Sequence, residues 1–250
     1  MRTLLLILLL IPNICFADLD TWCGVSTPAT IDGVTMGSWD GIDIASGAGG
    51  GTVTYLDATS GTTNGGTSIT INVPAATSDG DMMIMSIIND IDQAITLDVA
   101  WTQLGNQITS SSSRSVLAYR IANSEPASYS HTVSSSTDLA GSVCTFRKTS
   151  GTFNVTEYSS NISSTNTVTS VAVDVPANSA LLCMYLNDDT ISMSTPPTSM
   201  TERIDVGSSL GVTHWAWTQD YTTGADTVTK TVVVSGTSDM TLFAIVISAD

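Results

Sequence analysis

The chain has 250 residues with 7 basic and 23 acidic side chains, which gives a net charge of −16. A chain of this length can bury a sizeable core. The scattered Lys and Arg residues exclude the clustered basic surface that binding to a nucleic acid or an anionic membrane requires. Thr and Ser supply 38 and 34 residues, and this abundance of strand and turn formers predicts an all-β protein.

Residues 1–17 have the parts of a secretory signal peptide. Arg2 precedes a short apolar run, and Cys15 and Ala17 occupy the minus-three and minus-one positions of a cleavage site. The run is too short to span a bilayer. We therefore predict a secreted or extracellular protein (cell surface, extracellular assembly or virion) whose mature chain is not inserted in a membrane. The alternative is an uncleaved apolar arm packed inside an assembly.

Residues 18–46 contain three similar short units, spaced by nine and then eight residues. Each unit places Asp-Gly or Cys-Gly between apolar residues, which combines turn chemistry with strand chemistry. We predict short hairpins or a ribbon that mediate assembly into a homo-oligomer; a loosely ordered arm is the alternative. The residues assigned to assembly are Trp22, Cys23, Ile31, Val34, Trp39 and Ile42.

Residues 47–66 are rich in Gly and Thr, a composition typical of a linker, here around one short strand. Residues 67–250 then show an internal duplication with halves 67–148 and 168–250. Five segments recur in one order at offsets of 97 to 102 residues. The matched pairs are 71–75 with 173–177, 82–90 with 181–188, 100–104 with 199–203, 116–120 with 213–218, and 140–146 with 241–247.

Each half consists of five or six predicted strands separated by Gly, Pro, Ser or Asp turns, without a helical period. The pattern predicts an all-β, jelly-roll-like antiparallel β-sandwich built from two sequence-related halves and preceded by the short hairpin segment. We expect the halves to share one core; two separate sandwiches are the alternative.

The turns between these strands carry a set of motifs in a fixed order. They are Gly80-Asp81, residues 101–104, residues 119–122, Glu125-Pro126-Ala127-Ser128-Tyr129 and residues 195–203. Their order resembles a duplicated β-sandwich module of phage tail-fibre and other virion structural proteins and of bacterial surface proteins. The resemblance implies a non-enzymatic structural or adhesion role. The primary prediction is an exported or virion-associated protein that self-assembles and presents a β-sandwich surface.

Aromatic residues suggest an alternative function. Trp215 and Trp217 alternate along a predicted strand and therefore project from one face of the sheet. If exposed together with Tyr119 and Tyr221, they would stack on sugar rings, which makes a secreted carbohydrate-binding module with a glycan partner the second prediction. Packing of the tryptophans in the core is the alternative.

Acidic turns suggest the one cofactor considered, Ca²⁺. Asp90 and Asp92 follow one strand, and Asp188 and Asp189 follow the matching strand of the second half. Oxygen-rich loops of this kind bind Ca²⁺ in extracellular proteins. Solvated turns without any cofactor are the alternative.

Cysteine and histidine positions complete the candidate sites. Cys144 and Cys183 lie in apolar strands, either as buried thiols or as a disulfide. His131 and His214 lie on predicted strands, where we expect half-exposed positions. Because no recognised catalytic motif occurs, we predict that the protein is not an enzyme, and a glycan-cleaving enzyme with paired acids is the least favoured function.

Overall fold

The structure is a computed structural model that describes residues 29–31, 34–36, 51–109, 112–207 and 211–250. The chain divides into two units, Met1–Gly49 and Gly50–Asp250. In the first unit, strands β1 (Ala29–Ile31) and β2 (Val34–Met36) pair antiparallel with Ile31 opposite Val34. This pairing agrees with the hairpin predicted for the middle repeat. The predicted signal peptide and the assembly residues Trp22, Cys23, Trp39 and Ile42 lie outside the described residues.

The second unit confirms the predicted all-β sandwich. Its described residues contain strands and turns but no helix. The first half contains β3 (Val53–Asn72), β4 (Met82–Asn89), β5 (Thr102–Gln103), β6 (Ile108–Thr109), β7 (Arg114–Ile121) and β8 (Ser128–Lys148). The second half contains β9 (Phe153–Ser163), β10 (Thr167–Thr169), β11 (Val173–Val175), β12 (Ser179–Asn187), β13 (Met193–Thr195), β14 (Thr201–Val206), β15 (Thr213–Tyr221), β16 (Ala225–Val228), β17 (Thr231–Val234) and β18 (Met240–Ala249).

The two large sheets have strands in the same order. Sheet 1 runs β3-β8-β4-β7-β5, with β6 also pairing with β7, and sheet 2 runs β9-β18-β12-β15-β14. The segments matched by sequence occupy corresponding places, so that β4 and β12 are both central. The halves of the structure begin at Val53 and Phe153, earlier than the predicted starts at residues 67 and 168.

A central core lies between the two large sheets. Alternate side chains from β4, β7 and β8 pack against alternate side chains from β12, β15 and β18, and all are buried. The predicted shared core is therefore present. Its members include Ile84, Leu117, Cys144, Leu182, Ala216 and Ile245.

Each half also has an outer core on the other face of its sheet. The protein therefore has both a core shared by the halves and a separate core in each half, the two alternatives that the sequence left open. In outer core 1, Met83 and Met85 of β4 pack with Ile69 and Ile71 at the end of β3. In outer core 2, sheet 2 packs against β10, β11 and β17; Val168, Val173, Val175, Val232 and Val234 supply the covering side chains. Both faces of β4 and β12 are consequently buried, which explains why these strands are apolar without alternation.

The predicted linker at 47–66 is wrong from residue 53 onward, because residues 53–66 belong to β3. Thr and Gly together allow this strand to fold back on itself: Gly65 has a φ of +62°, and the Thr63 hydroxyl donates to the Ser68 carbonyl over 2.8 Å. A Cβ atom on Gly61 would lie 2.3 Å from the Thr70 carbonyl oxygen. The glycines that resemble a linker therefore permit a close backbone crossing.

Candidate functional site

The predicted aromatic site is inside the protein. Trp215 and Trp217 share one face of β15, as predicted, with ring centroids 6.5 Å apart, but only 3% and 0% of their surfaces are exposed. The outer strands of the second half cover this face, and the Trp215 indole donates to Asp205 over 2.6 Å. Tyr119 packs against the central core and Tyr221 against outer core 2. The predicted exposed glycan-stacking platform is therefore wrong.

The four acids predicted to bind calcium are engaged by protein groups. Asp90 accepts hydrogen bonds from the Thr137 hydroxyl and, over 3.0 Å, from the Asp138 amide. Asp92 forms an ion pair of 2.7 Å with Arg114. Within the described part of the chain, no three His, Cys, Asp or Glu residues are grouped in a way that would hold a metal ion.

The remaining two acids lie in the matching turn of the second half. Asp188 accepts hydrogen bonds from Ser112 and, over 2.5 Å, from Ser238. Asp189 accepts from the Thr190 amide over 2.7 Å. The predicted cation loops are hydrogen-bonded turns, because side-chain and backbone donors already occupy these carboxylates.

The turns are built on two buried asparagines that end equivalent strands. Asn89, at the end of β4, donates to the Gln93 carbonyl over 2.8 Å and accepts from the Ile91 amide over 3.3 Å. Asn187, at the end of β12, donates to the Asp239 carbonyl over 3.2 Å and accepts from an amide two residues on over 2.8 Å. The repeated Asn-Asp pair is therefore local turn chemistry.

The same turns join the halves reciprocally. Ser112, in the loop before β7 of the first half, donates to Asp188 of the second. Gly211, in the loop before β15 of the second half, donates its amide to Asp138 of the first over 3.0 Å. Acidic side chains at one end of the sandwich thus hold the loops of the opposite half.

Cys144 and Cys183 are free and fully buried, so a disulfide between them is wrong. Cys144 faces the central core, whereas Cys183 faces outer core 2, and sheet 2 separates them. Burial raises the pKa of each thiol to about 12. They behave as small apolar side chains, as the sequence interpretation favoured.

His214 forms the most unusual polar contact of the central core. Its Nε2 atom lies 2.6 Å from the Ser86 hydroxyl and 3.3 Å from the Ser142 hydroxyl, so an imidazole of sheet 2 meets two serines of sheet 1. All three residues have no exposed surface. Burial lowers the pKa of His214 to about 4, which keeps the ring neutral at neutral pH.

This serine–histidine contact lacks the features of a nucleophilic centre. Catalysis of that type needs a group that orients the other imidazole nitrogen and space for a substrate. The Nδ1 atom of His214 has no hydrogen-bond partner among the described residues, and its surroundings are the apolar side chains of the central core. The contact is suited to joining two sheets.

His131 is also buried, which corrects the half-exposed position expected for both histidines. It lies at the edge of outer core 1, where its Nδ1 atom accepts a hydrogen bond from the Asp98 amide over 3.2 Å and its ring meets Trp101 edge-on. Burial lowers its pKa to about 4, although Asp98 opposes the shift. Sequence reasoning missed both positions because the groups that cover them, on β4 and β8 for His214 and in the segment of Asp98 and Trp101 for His131, are distant in sequence.

The motif Glu125–Tyr129, which carried part of the family resemblance, forms a closed turn. Arg120 pairs with Glu125 over 2.8 Å, and the Tyr129 hydroxyl donates to the same carboxylate. Burial disfavours ionisation of Glu125, but hydrogen bonds from Tyr129, the Asn123 amide and Arg120 outweigh it and lower its pKa. The motif stabilises structure at the junction of β7 and β8.

No protein-family model, curated protein or solved structure matches this chain. The resemblance to the virion and surface-protein module therefore stays a prediction based on motifs. Among the described residues, no helix has the length and apolar character needed to cross a membrane.

Proposed function

We propose that this protein is a non-enzymatic, exported or virion-associated structural protein that self-assembles through its N-terminal segment and presents the sandwich of residues 50–250 as an adhesive body. The observation that carries the proposal is the placement of the reactive and aromatic side chains. Trp215, Trp217, His214 and both described cysteines pack between layers. Their burial favours a scaffold over a binding pocket built from these groups.

The strands that cover the two outer cores support a contact role. They carry hydroxyl side chains that pair across neighbouring strands: Thr169 with Thr231 over 2.8 Å, and Thr70 with Ser130 over 2.9 Å. Surfaces of this kind are neutral and hydrogen-bonding, and they are suited to contacts with other copies or with polar cell-surface material.

The N-terminal unit supplies the assembly element of the proposal. An isolated two-stranded hairpin is only marginally stable in water, and residues 18–46 contain short apolar units with little mass of their own. Pairing with the same segment of neighbouring copies would stabilise such units. Export follows from the predicted signal peptide.

The test compares the mature chain, residues 18–250, with the body, residues 50–250, by size-exclusion chromatography with light scattering. We expect an oligomer for the mature chain and a monomer for the body, and both should melt at similar temperatures because the three cores lie in the body. A monomeric mature chain, or a body that keeps the same oligomeric state, would contradict the proposed assembly role.

A further inference from the structure

The central core contains a titratable group at the contact between the two halves. His214 projects from β15 of sheet 2 and reaches Ser86 on β4 and Ser142 on β8 of sheet 1. These contacts span 128 and 72 residues of sequence. The imidazole therefore joins the halves and does not stabilise either half alone.

Among the described residues, no carboxylate forms an ion pair or a hydrogen bond with His214. On the facing strands its polar contacts are the two serine hydroxyls, and on its own sheet it pairs with Leu186 of β12 and Val206 of β14. On the adjoining elements, the titratable groups on this side are Cys144 on β8, Tyr119 on β7, Tyr55 on β3, Tyr158 on β9 and Arg203 on β14, whose guanidinium lies over the Tyr55 ring. Asp90 and Asp138 approach Gly211 at the loop before β15.

Each half keeps a core of its own when the central core is set aside. Outer core 1 contains residues of the first half alone, and outer core 2 contains residues of the second half alone. The central core is the layer that belongs to both. Separation at this layer consequently leaves two units with packed apolar interiors, as expected for a protein that opens in cooperative parts.

We propose that protonation of His214 in mild acid opens the central core, so that the two halves separate while each retains its outer core. A charged imidazole between two serines and apolar side chains is poorly solvated, and opening gives it water. The lowered pKa in the closed state agrees with this direction. Opening is favoured as the pH falls below the ordinary histidine pKa of 6.5, and the effect stops growing near pH 4.

The chain carries two reporters that distinguish this opening from general unfolding. Cys144 faces the central core and Cys183 faces outer core 2, and both are free and fully buried in the closed protein. Separation of the halves exposes Cys144 to solvent, whereas Cys183 stays covered. Loss of the whole fold exposes both.

The experiment treats the full chain with a dipyridyl disulfide, a thiol reagent that works in acid, at a series of pH values, and locates the modified cysteines by peptide mass spectrometry. The variants are His214→Gln, which keeps a hydrogen-bonding side chain without titration, and His131→Gln as a matched control in outer core 1. In the wild type and the control, Cys144 should react at a higher pH than Cys183. In His214→Gln the onset for Cys144 should shift to lower pH.

Reaction of both cysteines over the same pH range in the wild type would overturn the proposal, as would an unchanged Cys144 onset in His214→Gln. If that variant does not fold, hydrogen–deuterium exchange at the imidazole C2 position of the wild type follows the protonation of His214 directly. Protonation that coincides with the reactivity of Cys144 and precedes that of Cys183 supports the proposal. Protonation only after both cysteines react contradicts it.

Discussion

At the scale of single residues, the side chains that resemble a binding site are those that hold the layers together. The alternation of Trp215 and Trp217 correctly predicted a shared face, because side chains two residues apart on a strand point the same way. The sequence left both exposure and burial open, since the outcome depends on β10, β11 and β17. Those strands are short and come from a Thr-rich part of the sequence.

Replacement of Trp217 by Ala should therefore lower stability without affecting a surface function. The side chain is fully buried in outer core 2, so we expect a loss of about 3–5 kcal/mol in the free energy of unfolding. Trp217→Phe should cost less, because the indole nitrogen has no hydrogen-bond partner among the described residues. Denaturant titration measures both.

Val99→Ala is the matched control for this prediction, because Val99 is fully exposed and its truncation should change stability by less than about 0.5 kcal/mol. An unchanged midpoint for Trp217→Ala, or equal effects of the two truncations, would show that the aromatic pair does not stabilise the fold.

The turn at Glu125 gives a second prediction at this scale. Glu125→Gln removes the charge that Arg120 and Tyr129 both contact, and we expect a loss of about 1–3 kcal/mol. Because the folded protein lowers the pKa of Glu125, its contribution is present above the ordinary value of 4.5 and is lost as the pH falls further.

A double-mutant cycle with Tyr129→Phe checks this origin. We expect a coupling energy between Glu125 and Tyr129 of about 0.5–3 kcal/mol at neutral pH, with a smaller value in acid. Strictly additive effects at neutral pH would show that the two side chains do not act together.

At the scale of strands, the sequence repeats predicted the central strands better than their partners. The matched segments locate β4 with β12, β7 with β15, and β8 with β18 in equivalent places. The first strand of each half escaped notice because its composition resembles a linker or a polar tail. A signal was present, because Gly51-Thr52 recurs as Gly151-Thr152. Each Thr forms backbone hydrogen bonds with the residue that directly follows the last strand of its half, Thr149 and Asp250 respectively.

The fold of β3 makes Gly61 a position that tolerates no side chain. A Cβ atom there would lie 2.3 Å from a backbone oxygen of the same strand, which cannot move independently. Gly61→Ala should lower stability by about 1–3 kcal/mol or prevent folding. Gly207→Ala is the matched control, since its Cβ atom would meet neighbours at no less than 3.6 Å.

Thermal melting of the two variants tests this account of the strand. A melting temperature for Gly61→Ala equal to that of Gly207→Ala would mean that residues 53–72 do not fold back as described, and it would restore the linker interpretation.

At the scale of the whole molecule, the layers predict a distinct dependence of stability on pH. His131 and His214 have pKa values near 4 when folded and 6.5 when unfolded, so the unfolded chain binds more protons between these limits. The contribution of these two histidines to stability is therefore complete above pH 6.5 and falls as the pH approaches 4, by on the order of 3 kcal/mol at most for each histidine. Denaturant unfolding at several pH values measures the slope of the free energy of unfolding against pH.

The combined variant His131→Gln/His214→Gln should flatten the slope between pH 6.5 and 5, where carboxylates contribute little. A slope as steep as that of the wild type would show that other groups control the acid response.

At this scale, many of the acidic side chains are explained by the turns and loops that they hold. Asp90 and Asp188, at strand ends, and Asp138, within β8, hold loops through hydrogen bonds. The all-β class was predictable because strand and turn patterns are local. The two outer cores were not, since they require distant segments to fold over the sheets.

We propose that copies of the protein assemble through the N-terminal segment, and cross-linking of isotopically mixed copies tests this assembly. Normal and ¹⁵N-labelled mature chains are mixed, their carboxyl groups are activated with a water-soluble coupling reagent and joined by a dihydrazide, and the linked peptides are identified by mass spectrometry. Mixed-isotope links should involve Asp18, Asp20, Asp32, Asp40 or Asp43, whereas links between Asp90 and Asp138 should join residues of one copy. Mixed-isotope links confined to residues 50–250, or none at all, would contradict the account.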